Sequence, residues 1–253
     1  MTLSDFSLEG KTAIVTGASR GIGRAIALAY AEAGAQLVMA SRNLPDLEKA
    51  AGEVGKLGKP PLIVTADISR KDDVDNLVRR AVKEFGAIDI MVNDPATFVT
   101  GPILDIEEDD WDRVMDTNLK GYYFLCRASG LVMREQKRGS IINLTSALGF
   151  RVTPRMPIYS VAKAGIIMLT KALAVELGPY NVRVNAIAPG IVDTEFSRTP
   201  EQDDSYRVMR AQQIPLRRIA DPGDMVGSAV FLGSGASAFV SGHILVVDGG
   251  DLA

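Results

Sequence analysis

Cysteine and histidine are almost missing from this sequence: 253 residues hold one of each, Cys126 and His243. A lone cysteine makes no intrachain disulfide, so nothing calls for an oxidising compartment. Structural zinc takes about four Cys or His ligands, more than these two supply, and no metal site is expected. An excess of one charge is lacking too. The 28 Lys+Arg stand against 31 Asp+Glu, a net of −3, without the basic field that nucleic acid or an anionic membrane attracts. Met1-Thr2-Leu3-Ser4-Asp5-Phe6 has no basic cluster leading into an apolar stretch, so no secretory signal is expected. No run approaches the roughly 18 uninterrupted apolar residues of a spanning helix. The expectation is a cytoplasmic protein with neither a nucleic-acid nor a membrane partner.

Apolar material is plentiful, at 47% of residues, and it falls into a rhythm. Short runs rich in Val and Ile occupy 12–16, 36–40, 61–66, 88–93, 140–145, 182–188 and 243–247. With little polar alternation, they read as strands buried on both faces. Amphipathic stretches lie between them, at 21–33, 44–57, 71–85, 107–134, 157–177 and 221–232. Parallel neighbours need crossover helices, so the alternation predicts an α/β fold. The expected form is a single doubly wound parallel β-sheet of about seven strands, flanked by helices and spanning 1–253. The polar run 195–213 breaks the rhythm and suggests a lid at 191–215.

Thr16-Gly17-Ala18-Ser19-Arg20-Gly21-Ile22-Gly23 follows the first strand and opens a helix. Glycines there permit a tight turn and close approach of a pyrophosphate to the helix N-terminus. Gly17, Ser19, Arg20, Gly21, Ile22 and Gly23 are therefore candidate dinucleotide contacts; the alternative is a bare turn. Gly17 to Gly21 also fits G-x-S-x-G, a nucleophile elbow. Ser19 would then work with His243 and Asp193 or Asp221, although no upstream strand would supply an oxyanion hole. At the end of the second strand Ala40-Ser41-Arg42-Asn43 lacks the carboxylate that favours NAD. Arg42, next to Ser41, and Arg20 suit a 2′-phosphate instead, pointing to NADP(H) ahead of NAD(H).

Tyr159 and Lys163 share a helix face at i and i+4. An ammonium ~4 Å from a phenol, at an effective dielectric of ~20, attracts its anion by ~4 kcal/mol. That predicts a phenol brought down from near 10 toward the range useful for acid–base work.

Taken with the glycine loop, this pair resembles the classical short-chain dehydrogenase/reductase family over essentially the whole chain. The loop is similar to T-G-x-x-x-G-x-G, and Tyr159 and Lys163 to Y-x-x-x-K. Ser146, 13 residues before Tyr159, matches the catalytic serine, and Asn118 the helix asparagine of the tetrad. Pro189-Gly190-Ile191-Val192-Asp193-Thr194 matches P-G-x-x-x-T on the nicotinamide side, where Pro189, Gly190, Val192 and Thr194 would lie. Asp67 and Ile68 fall near the adenine, and Val247-Asp248-Gly249-Gly250 is a typical ending. One departure stands out: the family's N-N-A-G reads Asn93-Asp94-Pro95-Ala96 here. Asn93 would still contact the cofactor, while Asp94 would bring negative charge near the adenosine.

The resemblance implies a Rossmann-like fold and an NADP(H)-dependent carbonyl reductase or ketoreductase acting on a small carbonyl or alcohol. Tyr159 would give the proton, Ser146 hold the oxygen, Lys163 lower the phenol and bind ribose, and Asn118 hold a relay water. It also implies a homotetramer pairing helices 107–134 and 157–177. Leu148, Phe150, Met156, Phe196 and Met209 suggest a hydrophobic substrate, or else lid packing. A 3-oxoacyl-(acyl-carrier-protein) reductase would need basic docking residues, of which Lys137 and Arg138 are candidates, while Pro179-Tyr180-Asn181 is neutral. A sugar or polyol dehydrogenase is the further alternative.

Overall fold

The computed structural model describes residues 3–198 and 204–253. Seven strands form it: β1 Thr12–Thr16, β2 Gln36–Ser41, β3 Leu62–Thr65, β4 Ile90–Asn93, β5 Gly139–Leu144, β6 Val182–Pro189 and β7 Ile244–Val247. They lie in the order β3-β2-β1-β4-β5-β6-β7, each pair parallel. The helices are α1 Gly21–Glu32, α2 Leu44–Val54, α3 Lys71–Phe85, α4 Glu108–Met115, α5 Gly121–Gln136, α6 Pro157–Leu177, α7 Asp204–Gln213 and α8 Val226–Gly233.

Strand alternation explains why the apolar runs are continuous. In β1, Ala13 and Val15 join a core with Ile26 and Tyr30 of α1 and Leu232 of α8. Ile14 points the other way, into a core with Leu77 of α3, Leu125 of α5 and Ile166 of α6. Both faces are covered, so every β1 residue is buried. Burying a side chain of this size is worth roughly 1.5–3 kcal/mol, and the two cores together hold the sheet between helix layers. Strand order reverses between β1 and β4, which opens a crevice at the C-terminal ends of the strands.

Three departures from the expected elements bear on the site. The stretch expected as one helix over 107–134 is two, α4 and α5, joined by a π-helical turn at Asp116–Lys120. The chain stays helical through the joint, because a π turn occurs as a single-turn bulge inside an α-helix. The segment over 221–232 begins as a 3-10 turn, Pro222–Met225, before α8. The expected lid contains a 3-10 turn, Glu195–Ser197, and α7; its residues 199–203 lie outside the described residues.

By length and composition, Pro157–Tyr180 is apolar enough to cross a membrane. In this fold it packs on β6, buries Ile158, Ile166 and Ile167, and brings Tyr159 and Lys163 to the crevice. Uninterrupted apolar length missed it because Lys163 and Lys171 break the run.

Candidate active site

A cavity of about 900 Å³ fills the crevice, at the upper end of the roughly 300–1,000 Å³ of ligand sites. Its floor is the glycine loop. Gly17 takes φ +70 and Gly21 φ +57, backbone that only glycine adopts at low cost. A Cβ on Gly23 would lie 2.4 Å from the Gly17 carbonyl oxygen, so the loop can close only over glycine. Gly17, Ser19, Arg20, Gly21 and Ile22 line the cavity, whereas Gly23 lies beneath it. A bare cradle whose backbone faces a cavity of this size fits a pyrophosphate.

The helix start is completed from another element. Arg20, at the N-cap of α1, makes no side-chain cap. Asp94 Oδ2 instead accepts a hydrogen bond from the Gly23 amide at 2.7 Å, satisfying an otherwise free donor at the positive end of the helix. This corrects the expectation for Asp94: its charge is turned under the glycine loop, not onto the adenosine. Burial pushes the Asp94 carboxyl up, against the opposing pull of Lys163 and the Gly23 amide.

Asn93 is a second correction. It is fully buried, and its Nδ2 donates to Asn143 Oδ1 at 2.8 Å and toward Cys126 Sγ at 3.4 Å. Because β4 pairs with β5 at Asn93 and Asn143, the amide joins two strands behind the cavity and does not line it. Cys126 is inert there, its thiol pushed up to about 12 by burial.

At the end of the cavity over β2 and β3, Ser41, Arg42, Asp67 and Ile68 are lining residues. Asp67 is also tied into its own turn, its Oδ1 accepting from the Ser69 amide at 3.0 Å and hydroxyl at 2.7 Å. Arg42 is exposed and makes no ion pair among the described residues. Arg20 is diverted: its guanidinium lies 2.5 Å from Glu195 across the crevice, a contact between residues 175 apart that motif reading does not reveal. Asp46, one turn beyond Arg42 at i+4, lines the same end and went unnoticed in the sequence.

The opposite wall is built from β5 and α6. Ser146 follows β5 and Tyr159 stands in the first turn of α6, both lining the cavity. Ser146 hydrogen-bonds the phenol, which draws its pKa down. Lys163 is 1% exposed; its Nζ donates to the Leu144 carbonyl at 2.7 Å and to the Tyr122 hydroxyl at 3.3 Å. The ammonium lies 5.5 Å from the centre of the Tyr159 ring and 4.9 Å from that of Tyr122. Tyr122 is the side chain that sequence reasoning missed, although it lies one turn past Asn118, on the same helix face.

This geometry overturns the expected pKa of Tyr159. Burial, and then the Asp94 carboxylate, push the phenol up, above its usual range. The ammonium that was to lower it is spent on Leu144 and Tyr122. Lys163 itself is drawn down by burial, with Asp94 pulling the other way.

Asn118 plays a different part from the one expected of its side chain. Its Oδ1 accepts from the Thr97 amide at 2.8 Å and its Nδ2 donates to the Thr97 carbonyl at 2.6 Å. Both ends of the amide are thus committed to holding the loop after β4, and Asn118 does not line the cavity. That loop carries Phe98, which meets Phe196 edge-on at 4.8 Å; Phe196 in turn lies 5.9 Å from the Tyr159 ring. Pro189, Gly190, Val192 and Thr194 line the nicotinamide side. Leu148, Met156, Phe196 and Met209 line the cavity, while Phe150 points away from it.

The serine-hydrolase alternative loses its geometry, and the two candidate carrier-docking residues lie away from the site. Ser19 follows β1 at its C-terminal end, but His243 precedes β7, so the hydrolase pair would stand at opposite ends of a parallel sheet. Lys137 and Arg138 likewise precede β5, away from the cavity mouth, and Arg138 is bound to Asp89 at 2.9 Å. Among the described residues no cluster of His, Cys, Asp and Glu could hold a metal.

Fold and site together define an oxidoreductase that works with a nicotinamide cofactor. A family model described as Enoyl-(Acyl carrier protein) reductase matches residues 17–251. The chain is 39% identical over 254 residues to the 2-dehydro-3-deoxy-D-gluconate 5-dehydrogenase of Escherichia coli (strain K12), covering 100% of both. It is 37% identical over 244 residues to the 3-oxoacyl-[acyl-carrier-protein] reductase FabG of Chlamydia muridarum, covering 96% of this chain and 98% of that one. A solved short-chain type dehydrogenase/reductase from Mycobacterium marinum matches with a TM-score of 0.94 at 36% identity, over 98% of each chain. The chain belongs to the short-chain dehydrogenase/reductase family, whose members act on alcohol or keto groups.

Proposed function

We propose that this chain is an NADP(H)-dependent carbonyl reductase, interconverting a ketone and a secondary alcohol with Tyr159 as general acid–base. The supporting observation is that Ser146, Tyr159 and Lys163 meet on one wall, with Ser146 hydrogen-bonded to the phenol. The backbone at Gly17, Gly21 and Ile22 would hold the pyrophosphate, Asp67 and Ile68 the adenosine, and Thr194 the nicotinamide side. When bound, the nicotinamide supplies or accepts the hydride.

In reduction, Tyr159 passes its hydroxyl proton to the substrate oxygen as the carbon gains the hydride. A phenol held above its usual range is fully protonated near neutrality, which suits a donor. Ser146 donates a hydrogen bond to the same oxygen and stabilises its developing charge. Lys163 faces the phenolate left behind and offers its ammonium to ribose hydroxyls. The Phe98–Phe196 pair keeps water from the reacting atoms. Asn118 positions this apparatus by fixing Thr97; a relay water at this position would be held by its main chain.

The NADP(H) preference is supported by the absence of a carboxylate at Ser41-Arg42 and by the exposed Arg42 guanidinium, which has no ion pair among the described residues. Asp46 opposes it, one turn away. Charge-assisted hydrogen bonds of about 1.5–3 kcal/mol give roughly 10- to 150-fold. The expected result is that much higher kcat/KM with NADPH than with NADH, and loss of the difference in Arg42→Ala. Equal use of NADH by the wild type would overturn the assignment. We also propose a cytoplasmic homotetramer, since Val161, Met168 and Val175 on α6 and Tyr123 and Leu131 on α5 leave apolar surface exposed.

A further inference from the structure

The substrate end of the cavity lies over β5, β6 and β7, away from the adenosine end over β2 and β3. Three separate segments converge there: the loop after Ser146, α7, and the chain end after β7. Their meeting point is Asp251, which is 8% exposed. Arg151 bonds the Asp251 carboxylate and donates to its main-chain carbonyl at 2.9 Å. Arg210 reaches the same carboxylate oxygen at 3.2 Å and also bonds Gln213. Arg151, Arg210, Gln213 and Asp251 all line the cavity.

The chain end is shaped for this contact. Gly249 and Gly250 take φ +68 and +90, and a Cβ on either would lie within 3.0 Å of Ile214 or Pro215. Asp248 caps the turn, its carboxylate accepting from the amides of Gly250 at 2.8 Å and Leu252 at 2.9 Å. Asp251 is therefore held firmly and brings two guanidinium groups together. The Asp248 carboxylate is spent on main-chain amides, so only Asp251 bonds the two guanidinium groups, which share its carboxylate and keep further N–H donors for a ligand. Side-chain exposures of 39% for Arg151 and 19% for Arg210 leave both partly shielded from water, where a charge-assisted pair is stronger. The forked, planar guanidinium matches a carboxylate in geometry.

We propose that Arg151 and Arg210 form a carboxylate subsite, and that the substrate is a small oxo-acid or hydroxy-acid whose reacting carbon lies at Tyr159 and Ser146. This rests on the carbonyl-reductase reading and narrows it. The apolar residues Leu148 and Met156 line the same cavity and would pack the carbon chain between the two polar ends. A neutral hydrophobic ketone would leave the spare guanidinium donors without an acceptor from the substrate.

The test compares linear oxo-acids of four to six carbons with their methyl esters and with a 3-oxoacyl thioester, using NADPH and the full chain. The expected kcat/KM is at least tenfold higher for an acid than for its ester, a preference that weakens as salt rises. In Arg151→Gln and Arg210→Gln that ratio should collapse toward one, chiefly through KM for the acid. The wild-type ratio needs no variant, so it stands even if a substitution disturbs folding. Equal or better turnover of esters or thioester overturns the subsite and leaves the reductase reading intact. Reduction of no carbonyl compound by a chain that binds NADPH overturns the reading beneath it.

Discussion

Beyond β5 and along α6, Ser146, Tyr159 and Lys163 stand where the family motif places them and face the cavity directly. Asn93, Asp94 and the Thr97 loop stand at the end of β4 and just beyond it, yet their hydrogen bonds go to neighbouring elements, even where Asp94 reaches the cavity wall. The first wall does chemistry with side chains, so residue type and spacing reveal it. The second wall positions other elements: Asn93 ties two strands, Asp94 caps α1 and Asn118 clamps Thr97. Positioning tolerates a change of residue wherever hydrogen-bond geometry survives, which is how Asp94 stands in place of an amide. What the change adds is charge, and Tyr159 and Lys163 both feel it.

The sharpest break between the walls should come from Gly23→Ala. The added Cβ would lie 2.4 Å from the Gly17 carbonyl oxygen and 3.0 Å from Asp94 Oδ2, forcing apart the floor that both walls share. Overpacking of this kind costs about 1–3 kcal/mol. Thermal unfolding should shift down by several degrees and NADPH binding by fluorescence titration should be lost; a variant with wild-type binding would contradict the packing described.

A smaller and more selective effect is expected from Asp94→Asn. The amide oxygen can still accept from Gly23, so α1 keeps its cap while the carboxylate charge disappears. Asp94 faces Lys163, Tyr122, Tyr159 and the Gly23 amide. Its charge raises the phenol, so removing it lowers the pKa of Tyr159. Alcohol oxidation needs the deprotonated phenol and should therefore begin at lower pH than in the wild type. A pH–rate profile reads this directly, and a shift to higher pH would mean that loss of Lys163's counter-charge dominates instead.

Much of the frame was legible because burial leaves its mark on neighbours in sequence. β1, α3 and α6 begin and end where the sequence pattern does, since β1 is buried throughout and α3 and α6 each keep one face on a core. The break in 107–134 was not legible, because the chain stays helical through the π turn at Asn118 and no Pro or Gly lies within it. The pairing of Arg20 with Glu195, the cap from Asp94 and the meeting of Arg151 and Arg210 at Asp251 join residues 41 to 175 positions apart. Such contacts depend on which elements the topology brings together, and no local spacing encodes them. The lowered phenol pKa failed for a related reason. Helix spacing places Lys163 near Tyr159, but Leu144 and Tyr122, from β5 and α5, decide where its ammonium points.

That proton transfer by Tyr159 underlies turnover is tested most directly by Tyr159→Phe, with NADPH binding and steady-state carbonyl reduction measured on the same preparation. The substitution removes one hydroxyl and leaves the ring against Phe196, so the fold and cofactor cradle should survive. The account predicts NADPH affinity within a few-fold of wild type and kcat lower by about 10²–10⁴-fold, the range of general acid catalysis. Turnover within a few-fold of wild type would contradict it.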